Sequence, residues 1–156
     1  MVHRELVVPN DTQYLVTVRE EVTKVVEQSA FPPRDQKLLI LAVDEAITNI
    51  MEHAYDNDLE GELDVELILE ADATRFEVII RDSGKEFDPT AVEIPDITAH
   101  ISKGQKHGLG IFLIRQIMDE VNYNYVHGEK NELQMIKYVD REKGKLARAK
   151  SGAGGK

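Results

Sequence analysis

Cysteine and tryptophan are both absent from the 156 residues. Without cysteine there is no disulfide framework, no Cys-based zinc finger and no thiol nucleophile. That composition suits a reducing cytoplasm. No run of about 18 apolar residues occurs, which excludes a membrane-spanning helix. Residues 1–10 contain neither an apolar h-region nor a small-residue cleavage site, so no signal peptide is expected. Positive charge is scarce: 19 Lys+Arg stand against 29 Asp+Glu, for a formal net charge of −10. Apolar residues make up 42% of the chain, enough for a core and too many for a disordered polymer. The length fits one domain.

The charge is also uneven. Residues 141–156 hold six Lys/Arg and one Glu, a net charge of +5, which leaves −15 on residues 1–140. So acidic a body is poorly suited to grasping a phosphate backbone, which is bound mainly through Lys and Arg; no direct nucleic-acid partner is expected. A phosphate ligand would need backbone N–H groups or a cation. The expected division is therefore a domain over 1–140 and a basic tail over 141–156. The tail is rich in Gly, Ala and Lys, which predicts a solvated, disordered segment, with a partner-binding arm as the alternative.

Hydrophobic periodicity places the elements. Residues 5–9 read as a short strand ended by Pro9, with Asn10 or Asp11 as the following N-cap. Tyr14, Leu15, Val18, Val22, Val25 and Val26 mark one apolar helical face over 12–30. Phe31-Pro32-Pro33 breaks that pattern, and Asp35 is expected to cap a second helix running to 56. The first half of that helix, residues 38–43, is apolar all round, which predicts deep burial. Leu63, Val65, Leu67 and Leu69, then Phe76, Val78 and Ile80, alternate at period two, as an antiparallel hairpin requires. A long aperiodic stretch from 83 to 108 precedes a helix over 108–120 and two strands near 121–127 and 132–139. The fold class expected from this order is an α+β two-layer sandwich, with a mainly antiparallel sheet covered by helices on one face.

Three segments carry chemistry. On the second helix, Glu45, Asn49 and His53 are spaced i, i+4, i+8, nearly on one face, with Glu52 beside them. Carboxylate and amide oxygens suit Mg2+, and Glu45 suits a general base; a solvent-facing polar stripe is the alternative. At the end of the strand Val78-Ile79-Ile80, Asp82 is placed to accept a hydrogen bond from an exocyclic amine, and Gly84 allows close approach of a ligand. An ordinary Asp-Ser-Gly turn explains the same residues. Lys103, Gly104, Lys106, Gly108, Leu109 and Gly110 lead into an apolar helix, where backbone N–H groups and the helix dipole bind phosphate. A flexible loop with a glycine cap is the alternative. The spacing matches neither the dinucleotide fingerprint nor the P-loop.

In this order the three segments resemble the GHKL ATPase superfamily, and within it the bacterial anti-sigma-factor serine/threonine kinases. The resemblance rests on Asp44-Glu45-Ala46-x-x-Asn49-x-x-x-His53-Ala54-Tyr55, on Asp82-x-Gly84-x-x-Phe87-Asp88-Pro89, and on Gly108-Leu109-Gly110-Ile111-Phe112-Leu113-Ile114. It implies the Bergerat ATP-binding fold, with ATP and Mg2+ as cofactors. It also implies Glu45 as general base, Asn49 as the Mg2+ ligand, and Asp82 with Gly84 at adenine. Lys106, Gly108, Leu109 and Gly110 would then lie at the phosphates, with a lid over 88–107. The implied activity is phosphorylation of a small anti-anti-sigma antagonist and sequestration of a sigma factor, by a cytoplasmic homodimer. A histidine-kinase-type catalytic domain serving a separate phosphoacceptor, and a non-catalytic ATP-tuned binding module, are the alternatives. The chain departs from the family pattern at Glu86, where a second glycine is common, and at residues 131–136, which lack the usual Gly-Thr.

Overall fold

The computed structural model describes residues 1–56, 63–86, 88, 109–126 and 130–140, with the backbone only for 53–56 and 109. The stretch 89–108, the tail 141–156, Lys103, Lys106, Gly108 and the His53 side chain, all singled out above, lie outside the described residues.

The elements run β1 (Val2–Pro9), a 3-10 turn (Thr12–Tyr14), α1 (Leu15–Glu27), α2 (Pro33–Asp56), β2 (Asp64–Ala71), β3 (Arg75–Asp82), α3 (Leu109–Ile117), β4 (Glu120–Val126) and β5 (Lys130–Tyr138). The five strands form one sheet in the order β1-β2-β3-β5-β4. Every pairing among them is antiparallel. Together with the helices this is the expected α+β sandwich. No helix among the described residues is long and apolar enough to cross a membrane.

Local chemistry accounts for the element ends. Asp11, not Asn10, is the cap: its carboxylate accepts from Gln13 N at 3.0 Å. The first turn there is 3-10, so α1 itself begins three residues later than the periodicity indicates. Pro33 is the first residue of α2, a position where its missing N–H costs nothing. Asp35 is therefore a first-turn acid, which complements the helix dipole, and not the cap. β1 extends back to Val2 because it pairs along its whole length with β2, up to Val2 opposite Ala71. α3 ends at Ile117, earlier than expected, and the Lys137 ammonium donates to the Ile117 carbonyl at 2.9 Å.

The helices cover one face of the sheet. Val8, Val65, Leu67, Leu69, Phe76, Val78, Ile80, Leu133 and Met135 meet Val18, Val22, Val25, Leu39, Ile47, Met51, Ile111 and Ile114 in a single core. The first half of α2 is less buried than its composition indicates. Leu39, Ala42 and Val43 are buried, but Leu41 is exposed and Leu38 and Ile40 are half-buried. In a two-layer sandwich the outer flank of a helix faces water whatever residues occupy it. The other face of the sheet is charged: Arg81 stands directly opposite Glu66 and Glu132 and donates to Glu132 at 2.7 Å. Half-buried surface pairs of this kind remain open to water and contribute modest stability, so the apolar face carries the fold.

The helix-facing rows of the sheet change character at one end. The row Leu6, Leu67, Ile80, Leu133 is apolar throughout; the next and last row reads Val8, Val65, Asp82, Asn131. Asp82 and Asn131 are both buried, at 8% and 5% exposure. The core thus ends in two adjacent polar side chains, between the sheet and the helix layer.

Phe76 is fully buried in the core and Val7 is 60% exposed on the far face. Phe76→Ala is expected to cost about 3–5 kcal/mol, read from the urea midpoint. Val7→Ala is expected to stay within about 0.5 kcal/mol. Equal costs would contradict the assignment of the core face.

Candidate functional site

The C-terminal half of α2 divides cleanly. Ala46, Ile47, Ile50 and Met51 are buried in the core, while Asp44, Glu45, Thr48, Asn49 and Glu52 are half-buried along its margin. The polar stripe is therefore neither solvent-facing nor interior. Glu45 and Asn49 lie at the seam between α2 and α3, which pack on each other.

At that seam the backbone of α3 comes very close. A β-carbon built on Gly110, the second residue of α3, would stand 2.8 Å from Glu45 Oε2 and 3.1 Å from Asn49 Nδ2. Any side chain at 110 would have to displace both. Glycine costs about 1 kcal/mol against alanine in a helix, so its presence here is explained by the close approach. The structure thus joins Glu45 and Asn49 of α2 with Gly110, 61 residues further along the chain on α3. Leu109 opens the same helix.

The electrostatics of the seam are those of a crowded acidic margin. Burial pushes the Glu45 carboxyl above its ordinary range, and the neighbouring charges of Asp44 and Glu52 push it the same way. Asp44 is itself held by Arg19 of α1, whose Nη2 donates to both carboxylate oxygens at 2.9 Å. That fork ties α1 to α2 one residue before Glu45. Among the described residues no cluster of three or more His, Cys, Asp or Glu could hold a metal by itself. What the seam offers a cation is one amide oxygen on Asn49 beside one carboxylate. That donor set fits Mg2+, which takes few protein ligands and completes its shell with phosphates and water.

The second cluster lies at the polar end row of the sheet. Asp82 Oδ1 accepts from Gly84 N at 2.9 Å and from Asn131 Nδ2 at 3.1 Å. A β-carbon on Gly84 would be 3.0 Å from that same oxygen, a tight contact that a side chain here would relieve only by shifting the Asp82 carboxylate. Asn131 Nδ2 also donates to Lys85 O at 2.7 Å, and Tyr123 OH donates to Asn131 Oδ1 at 2.5 Å. The sequence singles out Asp82 and Gly84 at the end of this strand, but notes Asn131 only as part of a segment, 131–136, that lacks the usual Gly-Thr. Its significance depends on β3 pairing with β5, a register that composition does not reveal. An open cavity of about 210 Å3 lined by Phe31, Asp35, Arg115 and Lys137 lies at the opposite, C-terminal end of α3 and includes none of these residues.

A carboxyl that ionises less readily in the folded protein than in the unfolded chain favours folding below its unfolded pKa. It loses that contribution as pH rises through its folded pKa. Glu45 is such a group, so Glu45→Gln is expected to raise the melting temperature at pH 7. The gain should vanish below the ordinary carboxylate range, where the wild-type side chain is protonated in both states. A variant less stable than wild type at pH 7, or a gain independent of pH, would contradict the strained carboxylate.

Residues 8–137 match the histidine kinase-like ATPase domain. The chain is 31% identical over 142 residues to the serine-protein kinase RsbW of Bacillus cereus strain AH187, covering 88% of this chain and 86% of that protein. It is 30% identical, with the same coverage, to the serine-protein kinase RsbW of Bacillus mycoides strain KBAB4. With its three motif segments, its antiparallel α+β sandwich and these relatives, the chain belongs to the histidine-kinase-like (GHKL) ATPase superfamily and, within it, to the anti-sigma-factor serine kinase family.

Proposed function

We propose that this protein is an ATP- and Mg2+-dependent serine/threonine protein kinase that acts as an anti-sigma factor. It phosphorylates a small anti-anti-sigma antagonist and sequesters a sigma factor. The observation that carries the reading is the approach of Gly110 to Glu45 and Asn49. It sets a candidate base, a candidate cation ligand and the N-terminus of α3 at one point.

In this reading Asn49 would hold the cation through its side-chain oxygen, and Mg2+ would supply positive charge to the phosphates of the nucleotide. The N-terminal turn of α3 presents its backbone N–H groups to the same phosphates, as helix N-termini do. Gly110 lets them come close. Asp82 accepts from the adenine amine at the polar end of the sheet. Glu45 takes the proton of the incoming serine hydroxyl while the serine oxygen bonds to the γ-phosphorus and the bond to the β-phosphate oxygen breaks, releasing ADP. Its upward-shifted pKa brings it nearer the pH of the cell, which favours general-base work. Positioning and charge stabilisation of this kind supply most of the catalysis in phosphoryl transfer. A module that merely binds ATP has no use for a crowded, destabilised carboxylate at this point, which favours the kinase over the binding-module reading.

The test is capture of partners from the native cell followed by transfer of labelled γ-phosphate to any small protein recovered. Wild type is expected to label serine or threonine. Glu45→Gln is expected to retain ATP affinity within about threefold and lose transfer by ~100-fold or more, the scale of a general base. Undiminished transfer would remove Glu45 as the base, and a phosphohistidine product would favour the histidine-kinase alternative.

A further inference from the structure

Asn131 stands on β5 directly opposite Asp82 of β3. Its side chain is almost fully buried. The orientation of its amide follows from its partners. Backbone carbonyls can only accept, and Lys85 O lies 2.7 Å and Gly84 O 3.4 Å from one end, so that end is the NH2. The same NH2 reaches Asp82 Oδ1 at 3.1 Å. The oxygen end then accepts the hydroxyl of Tyr123 at 2.5 Å, a diagonal neighbour on the edge strand β4.

A hydroxyl side chain here would have one proton to give. The amide has two, and uses them on different structures: the carboxylate of β3 and the main chain of the turn that follows it. Tyr123 occupies the amide oxygen and prevents the flip that would turn that oxygen toward the carboxylate. Three strands therefore converge on the orientation of a single carboxylate.

We propose that Asn131 is a positioning residue for the nucleotide base: its amide holds the Asp82 carboxylate in the orientation that receives an exocyclic amine, and Tyr123 locks that amide. The inference rests on the nucleotide reading above and deepens it. An ionised carboxylate only accepts hydrogen bonds. Held in place, it rewards a purine carrying an amine and repels one carrying a carbonyl oxygen at the same position. Left to rotate, it discriminates less. Asn131 and Tyr123 thus set how strongly the protein prefers an amino-purine over an oxo-purine.

The test is calorimetric titration of the full chain with ATP and with ITP, each with Mg2+, for wild type, Asn131→Asp and Tyr123→Phe. ITP carries the same phosphates and sugar but has an oxygen in place of the amine. Asn131→Asp keeps the shape, removes both donors and faces one carboxylate with another. Its ATP affinity is expected to fall at least about tenfold while ITP changes less than about threefold, since hydrogen bonds to charged groups are worth ~1.5–3 kcal/mol. Tyr123→Phe should shrink the ATP-to-ITP ratio in the same direction, by about threefold, the loss of one neutral hydrogen bond. Where Asn131→Asp does not fold, Tyr123→Phe decides. A preserved ratio in the folded variants, or equal weakening of both nucleotides, would overturn the positioning role while leaving the nucleotide site standing. A wild-type protein that binds neither nucleotide would overturn both.

Discussion

Gly110 lies so near α2 that a β-carbon on it would stand 2.8 Å from the Glu45 carboxylate and 3.1 Å from the Asn49 amide. Much else in the helix layer serves that approach. Ile111 and Ile114 of α3 share the core with Ile47 and Met51 of α2, so the apolar packing that docks the two helices also brings the glycine against the polar stripe. The Arg19 fork on Asp44 ties α1 to α2 immediately beside that point. The consequence is electrostatic as well as steric. Crowding beneath α3 and the charges of Asp44 and Glu52 make the Glu45 carboxylate costly to ionise. On the proposed reading, stability is given up where a reactive carboxylate is useful, a common pattern at functional sites.

The sheet contributes a different constraint. Along β3 and β5 the helix-facing pairs Val78–Met135 and Ile80–Leu133 are apolar, and the last pair is Asp82–Asn131. Two buried polar side chains at the end of a core are tolerable only when both are satisfied. Here the Gly84 amide, the Lys85 carbonyl and the Tyr123 hydroxyl do so. The same hydrogen bonds that make burial affordable also fix where the carboxylate points. On the proposed reading, structural satisfaction and ligand reading are one network.

What the sequence discloses follows from how local each signal is. The β2–β3 hairpin was legible because alternation and a tight turn are both short-range: Asp72 accepts from Thr74 and Arg75 within the turn itself. The spacing of Glu45 and Asn49 was legible because a helix converts i, i+4 into adjacency. The exposure of Leu41 was not, since it depends on no third layer covering α2 among the described residues. The 3-10 start before α1 was not, because the same apolar spacing continues through it. Asn131 escaped for a deeper reason. Its partner is 49 residues away, and only the placement of β5 between β3 and β4 makes them neighbours.

On the proposed reading, nucleotide phosphates are held where Gly110 meets Glu45 and Asn49. The decisive variant is Gly110→Ala. The clash falls on the mobile ends of two side chains, and alanine is the better helix former, so the variant is expected to fold with an unchanged or higher melting temperature. Its Mg2+-ATP affinity, measured by calorimetry, is expected to fall by at least about tenfold, the loss of one charge-assisted contact. A stable Gly110→Ala protein that binds Mg2+-ATP as tightly as wild type would contradict the account.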